Sequence, residues 1–234
     1  MEKEGAARCG LVLCLVTFLF PLAQGQAAAT NEVIRWESEI AAFAAADRTH
    51  PPPRNAVLFV GSSSIRLWKT LAQDFSGTPV INRGFGGSQI SDSVYYADRI
   101  VRPYSPRLIM FYAGGNDLNA GKTPDEVFRD YRAFVTKVHA ALPQTRIAFI
   151  STAPNPARWR LVNEMKRLNE LVAQHTQKNP QLIFIDVFHR MLGPDGQPRP
   201  DIYAADKLHL NAQGYRLWTE IIRPIVEAEM KRRP

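Results

Sequence analysis

The chain has 234 residues, of which 45% are hydrophobic and 22% are charged, a balance typical of a soluble globular protein with one domain. Its formal net charge of +7 favours anionic surroundings such as acidic polysaccharide, lipid headgroups or nucleic acid, but it does not bear on the fold. The sequence has no Pro/Gly/Ser tract, charge run or fixed-period repeat, which argues against disordered, collagenous and solenoid classes.

Residues 1–25 have the layout of a secretory signal peptide, because basic residues precede an apolar run at 11–20 and small residues follow it. The apolar run is shorter than the roughly 20 residues of a membrane-spanning helix. We therefore expect cleavage after Gly25 or within 27–29, export to a periplasm or beyond the cell, and no stable membrane anchor afterwards. An uncleaved anchor is the alternative, since two glutamates stand in the region that should be positive. Both cysteines lie in this segment, so disulfides and thiol catalysis are excluded from the mature chain.

After this segment, the hydrophobic pattern alternates between helical and strand periods. Apolar residues at helical spacing predict an amino-terminal helix within 31–53, ended by a proline-rich linker, and the main domain is predicted over 54–231. The continuous apolar runs in that domain are typical of strands buried on both faces. The alternation predicts a doubly wound α/β domain with a parallel sheet, whose ligands bind beyond the carboxyl ends of the strands. We expect strands at 56–60, 79–82, 107–113, 146–151 and 182–186, and helices at about 64–74, 88–100, 124–141, 159–178 and 211–230.

Polar loops follow the first two predicted strands. Residues 61–65 form either a turn with a serine helix cap or the seat of a nucleophile whose own N–H faces the crevice. Residues 82–88 form a glycine-rich loop that needs positive φ angles or presents an N–H to an oxyanion. A dinucleotide site is disfavoured there, because Gln89 occupies the last glycine position of the dinucleotide motif.

The later loops offer three further features. Residues 115–123 nearly match the phosphate-loop motif of NTPases, but one extra residue separates the two glycines. An NTPase is therefore a remote alternative. The proline-rich loop at 151–159 ends in Trp159, which is either a lid over a pocket or a packing residue. Asp206 and His209, three residues apart, are either a surface pair or an acid and a base. The remaining histidines lack metal-ligand spacing, and a zinc site is not expected. Taken together, the loops supply the groups of an acyl-transfer site.

Four ordered blocks resemble the signature of the SGNH hydrolases, also called GDSL esterases and lipases. Within that group the chain is most similar to the platelet-activating-factor acetylhydrolase-like branch, because of its NRGFGG, PNPARW and LHLNAQGY segments. The resemblance implies a flavodoxin-like, three-layer α/β/α sandwich with a five-stranded parallel sheet and an enzyme without metal or cofactor. The blocks are GSS at 61–63, NRGFGG at 82–87, GGND at 114–117 and DKLH at 206–209.

Carried over by position, the resemblance implies a role for individual residues. Ser63 is expected to be the nucleophile, with Asp206 and His209 completing a triad. The Ser63 amide, Gly87 and Asn116 are expected to form the oxyanion hole. The proline-rich loop places Trp159 as a candidate substrate-binding residue.

Two departures from the family pattern concern charge. Ser62 and Ser88 stand where the family has acidic residues, and Arg66 and Arg83 lie nearby in sequence, which predicts a preference for an anionic or polar substrate. The predicted activity is that of a secreted serine esterase that removes short, acetyl-type acyl groups through an acyl-enzyme. Its expected partner is a small-molecule or polysaccharide-borne ester, with no nucleic acid. A lysophospholipase or thioesterase acting on longer chains is the alternative within the enzyme class, and a non-catalytic ligand-binding module is the alternative outside it.

Overall fold

The computed structural model describes Met1 and residues 35–232. The predicted signal peptide beyond Met1 and the first residues of the predicted amino-terminal helix lie outside this described part. A compact unit begins at Trp36 and contains all the helices and strands given below. No helix in the described part of the chain has the length and apolar character to cross a membrane.

A five-stranded parallel sheet forms the centre of the unit, in the order β2-β1-β3-β4-β5. The sheet confirms the predicted α/β class and its five strands. The chain passes from β1 to β2 at one edge and then returns to β3 on the other side of β1. Loops leaving β1 and β3 therefore diverge, and a crevice opens between them at the carboxyl edge of the sheet. The strands are β1 (Val57–Gly61), β2 (Val80–Gly84), β3 (Leu108–Tyr112), β4 (Arg146–Ile150) and β5 (Leu182–Ile185).

Helices cover both faces of the sheet. The helices in chain order are α1 (Glu37–Thr49), α2 (Ser63–Arg66), α3 (Leu71–Asp74), α4 (Ile90–Ile100), α5 (Gly115–Asn119), α6 (Pro124–Ala141), α7 (Val162–Thr176) and α8 (Ala212–Lys231). Short 3-10 segments occupy Arg102–Tyr104, Pro156–Leu161, His189–Met191 and Pro200–Ile202.

Alternate residues of the strands supply the two halves of the core. On one face, Phe59 packs against Trp68 and Phe75, and α8 adds Trp218 to the same buried cluster. On the other face, Phe111 stacks on Phe134 of α6 with ring centroids 4.2 Å apart. Burial of these large side chains supplies most of the driving force for folding.

Most predicted elements agree with the observed ones to within a few residues. The observed bounds of α6 are the predicted ones, because Thr123 and Glu126 form a capping box at the start of the helix and Pro124 occupies its first turn. The helix predicted over about 64–74 is instead two short helices, α2 and α3. The prediction that every strand is buried on both faces is wrong for the two edge strands, because Ile183 and Phe184 of β5 and Val80 and Asn82 of β2 are only partly buried.

Helix α1 lies against α4 and is joined to β2 by side-chain contacts. The carboxylate of Asp47 pairs with the guanidinium of Arg83, and it also accepts a hydrogen bond of 2.6 Å from the hydroxyl of Tyr104. Burial raises the pKa of Tyr104 to about 12, so this hydroxyl stays protonated as a donor. Arg83, 9% exposed, also donates to Tyr104 at 2.7 Å. Arg83 therefore joins α1 to β2 through its pair with Asp47.

Candidate active site

The loop after β1 places Ser63 at the carboxyl edge of the sheet. Strand β1 ends at Gly61, whose φ of 147° and close approach to Tyr112 leave no room for a side chain, since a Cβ would lie 1.9 Å from the Tyr112 carbonyl oxygen. Ser62 then donates its N–H to the same carbonyl at 3.0 Å and becomes the residue before α2. Ser63 is the first residue of α2, so its amide is a first-turn donor without an intrahelical acceptor.

The loop before α8 places His209 opposite Ser63. Nε2 of His209 lies 2.9 Å from Oγ of Ser63, and Nδ1 lies 2.6 Å from Oδ2 of Asp206. The other carboxylate oxygen of Asp206 accepts the backbone N–H groups of Leu208 and His209, both at 3.0 Å. These hydrogen bonds, chiefly that with the His209 side chain, lower the pKa of Asp206 to about 2. The three side chains that the sequence predicted to meet therefore lie in one hydrogen-bonded row.

Asn116 and Gly87 lie on neighbouring loops of the same edge. Nδ2 of Asn116 donates to the carbonyl oxygen of Ser88 at 2.9 Å, so the loop after β3 is fastened to the turn after β2. Gly87 has a φ of +74°, and a Cβ built there would meet only Trp36, at ordinary contact distance. Within the described part of the chain, neither the Gly87 nor the Ser63 amide donates a hydrogen bond. Both amides are thus unoccupied donors, and Gly87 is not among the residues that line the cavity beside Ser63.

Asp117 gives this loop a second connection. Its side chain is fully buried and accepts the N–H of Ile90, the first residue of α4, at 3.1 Å. Burial raises the pKa of Asp117, while the ammonium of Lys122, 3.2 Å away, opposes that shift. Asn116 and Asp117 therefore both hold the turn that carries Gly87. The sequence signal was present, since Asp117 ends the GGND block, but no separate role was predicted for it.

A small cavity of about 30 Å³ lies beside Ser63. Its lining includes Arg158 and Asn155 of the proline-rich loop, which the sequence interpretation did not single out. Arg158 donates to the side-chain oxygen of Asn116 at 2.9 Å, and burial lowers the pKa of its guanidinium below its ordinary value. No carboxylate lines this cavity among the residues that the structure describes.

Trp159 does not line that cavity. It lines a separate pocket of about 590 Å³, together with Pro156, Tyr203 and Lys207. Consecutive residues line the two spaces: Arg158 lines the cavity beside Ser63, and Trp159 lines the larger pocket. The structure thus places the candidate substrate-binding residue Trp159 in this larger pocket and not in the cavity beside Ser63.

Two positions that lack the family's acidic residues are buried. Ser62 is 6% exposed and Ser88 is fully buried, with its hydroxyl donating to the Phe85 carbonyl at 3.0 Å. Arg66, the other cation near in sequence, is exposed and lies against Gly86. Since Arg83 pairs with α1, the cation that lines the serine cavity is Arg158.

One other predicted feature has a different structure, and one pair was not predicted. Gly115–Asn119 is a short helix, so the near-match to a phosphate loop does not form a loop of successive amides around an anion. Asp186 and His189 form a second Asp-x-x-His pair, with 2.5 Å between Oδ2 and Nδ1. In the part of the chain that the structure describes, His189 has no hydroxyl partner, and no group of three or more acidic, histidine or cysteine side chains could hold a metal.

The fold and the row of serine, histidine and aspartate side chains place the chain among the three-layer α/β/α hydrolases. The profile of the GDSL-like lipase/acylhydrolase family matches residues 58–217, more than half of the chain. The chain belongs to this family, and it is an ester-hydrolysing enzyme. The resemblance seen in the four sequence blocks is thereby confirmed.

Solved structures with the same fold include three from different organisms. A candidate platelet activating factor protein from Streptococcus pneumonia is 19% identical, with 87% of this chain and 99% of that chain covered and a TM-score of 0.73. A candidate acylhydrolase from Bacteroides fragilis is 21% identical, with coverages of 84% and 96% and a TM-score of 0.68. A carbohydrate esterase of family 3 from Talaromyces cellulolyticus is 16% identical, with coverages of 77% and 100% and a TM-score of 0.61. No curated protein matches the sequence significantly.

Proposed function

We propose that the protein is an exported serine esterase that removes short acyl groups through an acyl-enzyme intermediate. The observation that carries this proposal is the 2.9 Å distance between Oγ of Ser63 and Nε2 of His209. This distance suits proton transfer from a hydroxyl to an imidazole base. The hydrogen bond from His209 Nδ1 to the Asp206 carboxylate leaves Nε2 as the accepting nitrogen.

In the proposed cycle, Ser63 attacks the ester carbonyl while His209 takes its proton. The imidazolium that forms is stabilised by the Asp206 carboxylate and then protonates the departing alcohol. The serine is left carrying the acyl group. Water, deprotonated by the same histidine, attacks this acyl-enzyme and releases the acid, and the proton returns to the serine oxygen.

Three donors are proposed to hold the negatively charged oxygen of each tetrahedral intermediate. They are the amides of Ser63 and Gly87 and the Nδ2 group of Asn116. Each is a fixed dipole, so little reorganisation is needed as charge develops. Losing one such donor typically costs about 3 kcal/mol, or roughly a hundredfold in kcat.

The size of the cavity favours a short acyl group. Its volume of about 30 Å³ is close to the share of a single water molecule in the liquid, which suits the methyl group of an acetyl ester. The 590 Å³ pocket that Trp159 lines is the proposed site of the alcohol portion, where an aromatic ring offers a surface to a sugar. This arrangement favours a short-chain ester of a bulky alcohol over the lysophospholipase and thioesterase alternatives.

Hydrolysis of p-nitrophenyl esters with two- to sixteen-carbon acyl groups tests this proposal. We expect kcat/KM to be highest for acetate and to fall as the chain lengthens. A preference for acyl groups of twelve or more carbons would overturn the short-acyl proposal and favour the longer-chain alternatives.

Serine substitutions test which hydroxyl reacts. We expect Ser63→Ala to abolish turnover and labelling by a fluorophosphonate reagent, with a melting temperature within a few degrees of the unaltered protein. Ser62→Ala and Ser64→Ala are the matched controls and should stay labelled. Retained activity in Ser63→Ala would refute the assigned nucleophile, and an unlabelled, inactive natural chain would favour a non-catalytic binding module.

Export is proposed from the sequence of residues 1–25. The test expresses the full chain and determines the amino terminus of the protein recovered outside the cytoplasm. We expect a terminus that follows Gly25 or lies within 27–30. A full-length chain that stays in the cytoplasm or in the membrane fraction would contradict this.

A further inference from the structure

Arg158 reaches from the loop after β4 to the residues that follow β3. Its Nη1 donates to the side-chain oxygen of Asn116 at 2.9 Å and to the backbone carbonyl of Gly115 at 3.0 Å. At the other end of the same amide, Nδ2 of Asn116 donates to the carbonyl of Ser88 at 2.9 Å. A cation at one end and a carbonyl at the other therefore fix which end of the Asn116 amide is oxygen and which is nitrogen.

This orientation matters for the negatively charged oxygen of the tetrahedral intermediate. Nδ2 of Asn116 carries two hydrogens, and only one of them is used by Ser88. The second is the proposed oxyanion donor. A half-turn of the amide would replace this donor by an oxygen atom and repel the developing charge.

Arg158 is itself held in place from two sides. Its backbone N–H donates to the side chain of Asn155 at 2.9 Å, and the preceding amide of Ala157 donates to the carbonyl of Lys207 at 3.1 Å. The second bond joins the proline-rich loop to the segment that carries His209. Within the described residues, the guanidinium forms no ion pair, so its charge acts on Asn116 without a competing carboxylate.

We propose that Arg158 is a positioning residue for ester hydrolysis: it holds the Asn116 amide with an N–H directed at the oxyanion and polarises that amide into a stronger donor. This inference rests on the function proposed above. Because Arg158 acts through Asn116, its loss should lower kcat far more than it changes KM.

A double-mutant cycle on p-nitrophenyl acetate tests the inference. We expect Arg158→Ala to lower kcat by about ten- to a hundredfold, less than or equal to the loss typical of a whole oxyanion donor, with KM within about threefold. In the Asn116→Ala background, the same change should alter kcat by less than about threefold, since the group through which it acts is absent. Where turnover is too slow to measure, the rate of fluorophosphonate labelling of Ser63 supplies the same comparison.

Arg160→Ala is the matched control. Arg160 lies two residues away and donates to the side chain of Asn119 at 3.0 Å, on the same short helix as Asn116 but without contact to it. Its removal should leave kcat unchanged. If Arg158→Ala lowers the melting temperature by more than a few degrees, Arg158→Gln, which keeps one donor but no charge, replaces it in the cycle.

Three results would overturn the inference. They are an unchanged kcat in the Arg158 variant, a change confined to KM, and losses in the Arg158 and Asn116 variants that multiply in the double variant. Failure of the proposed function is distinguishable, because the natural chain would then show no turnover that depends on Ser63.

Discussion

Replacing Asp206 by asparagine tests how the imidazole of His209 is oriented. The N–H groups of Leu208 and His209 both donate to Oδ1 of Asp206 at 3.0 Å, whereas Oδ2 lies 2.6 Å from Nδ1 of the ring. In the asparagine variant, the two backbone donors hold the amide oxygen at the Oδ1 position, so the NH₂ group faces the ring. Nδ1 must then accept a hydrogen bond, and the ring proton moves to Nε2. Nε2 would donate to Ser63 and could no longer take its proton.

The size of the effect follows from the same contacts. Restoring the productive tautomer requires the amide to turn, which breaks two hydrogen bonds at about 1 kcal/mol each, or roughly thirtyfold in population. The variant also loses the carboxylate that stabilises the imidazolium, and in a serine-type triad the combined loss reaches about 10⁴-fold. Because the Asp206 side chain is 49% exposed, solvent screens part of its charge. We expect kcat to fall by about 10²- to 10⁴-fold.

The assay is the kcat of p-nitrophenyl acetate hydrolysis near neutral pH, measured with the melting temperature of each variant. Asp186→Asn is the matched control, since Asp186 makes the same two contacts with His189, at 3.2 Å to its backbone N–H and 2.5 Å to Nδ1. We expect this control to leave kcat unchanged. Retention of more than about a tenth of kcat in Asp206→Asn would refute the reasoning about the tautomer.

Three further predictions concern stability. Asp47→Ala leaves the buried Arg83 without its carboxylate and should cost about 2 to 3 kcal/mol in urea denaturation, less than a fully buried pair because Asp47 is 22% exposed. Glu37→Ala breaks the exposed pair between α1 and Arg99 of α4 and should cost less than about 1 kcal/mol. Equal losses of unfolding free energy in the two variants would contradict this difference between a buried and an exposed pair. Gly87→Ala places a side chain at a φ of +74° with room for the methyl group, so the free energy of unfolding should fall by about 1 kcal/mol. A fall of more than about 3 kcal/mol would indicate a steric clash and contradict this expectation. Since the pKa of Asp206 is lowered from 3.8 to about 2, its ionisation stabilises the fold above about pH 4. That stabilisation should disappear as the pH falls from about 4 to about 2. If the free energies of unfolding of the natural chain and of Asp206→Asn differ by the same amount at every pH, the prediction is wrong.

The sequence predicted the fold well because its local signals agree with the tertiary structure. Five apolar runs became the five strands, and the Thr123–Glu126 capping box defined the start of α6. Predictions failed where neighbouring elements decide the outcome. The helix expected over 64–74 is interrupted, and Ile183 and Phe184 of β5 are only partly buried because this strand lies at the edge of the sheet.

The candidate site was predictable to the extent that its residues lie at strand ends. Ser63 and Asn116 follow β1 and β3, and the Asp206 and His209 pair was found from its spacing together with the DKLH block, since Asp186 and His189 have the same spacing. Arg158 could not be assigned a contact, because its partner lies 42 positions away in another loop.

The partner of Arg83 could not be identified from its position in the sequence. Side chains alternate along a strand. Asn82 reaches the Ile65 carbonyl in α2 at 2.7 Å, whereas its neighbour Arg83 pairs with Asp47 of α1.

Helix α1 supports the turn that carries Gly87. Glu39 accepts the N–H of Gly86 at 3.4 Å, and the indole of Trp36 donates to Asp92 at 3.2 Å, at the start of the helix that this turn leads into. Residues 36–49 therefore stabilise a loop of the proposed active site. We expect a chain that begins after Thr49 to keep Ser63 and His209 but to hydrolyse esters more slowly, because these two contacts with the Gly87 turn are lost.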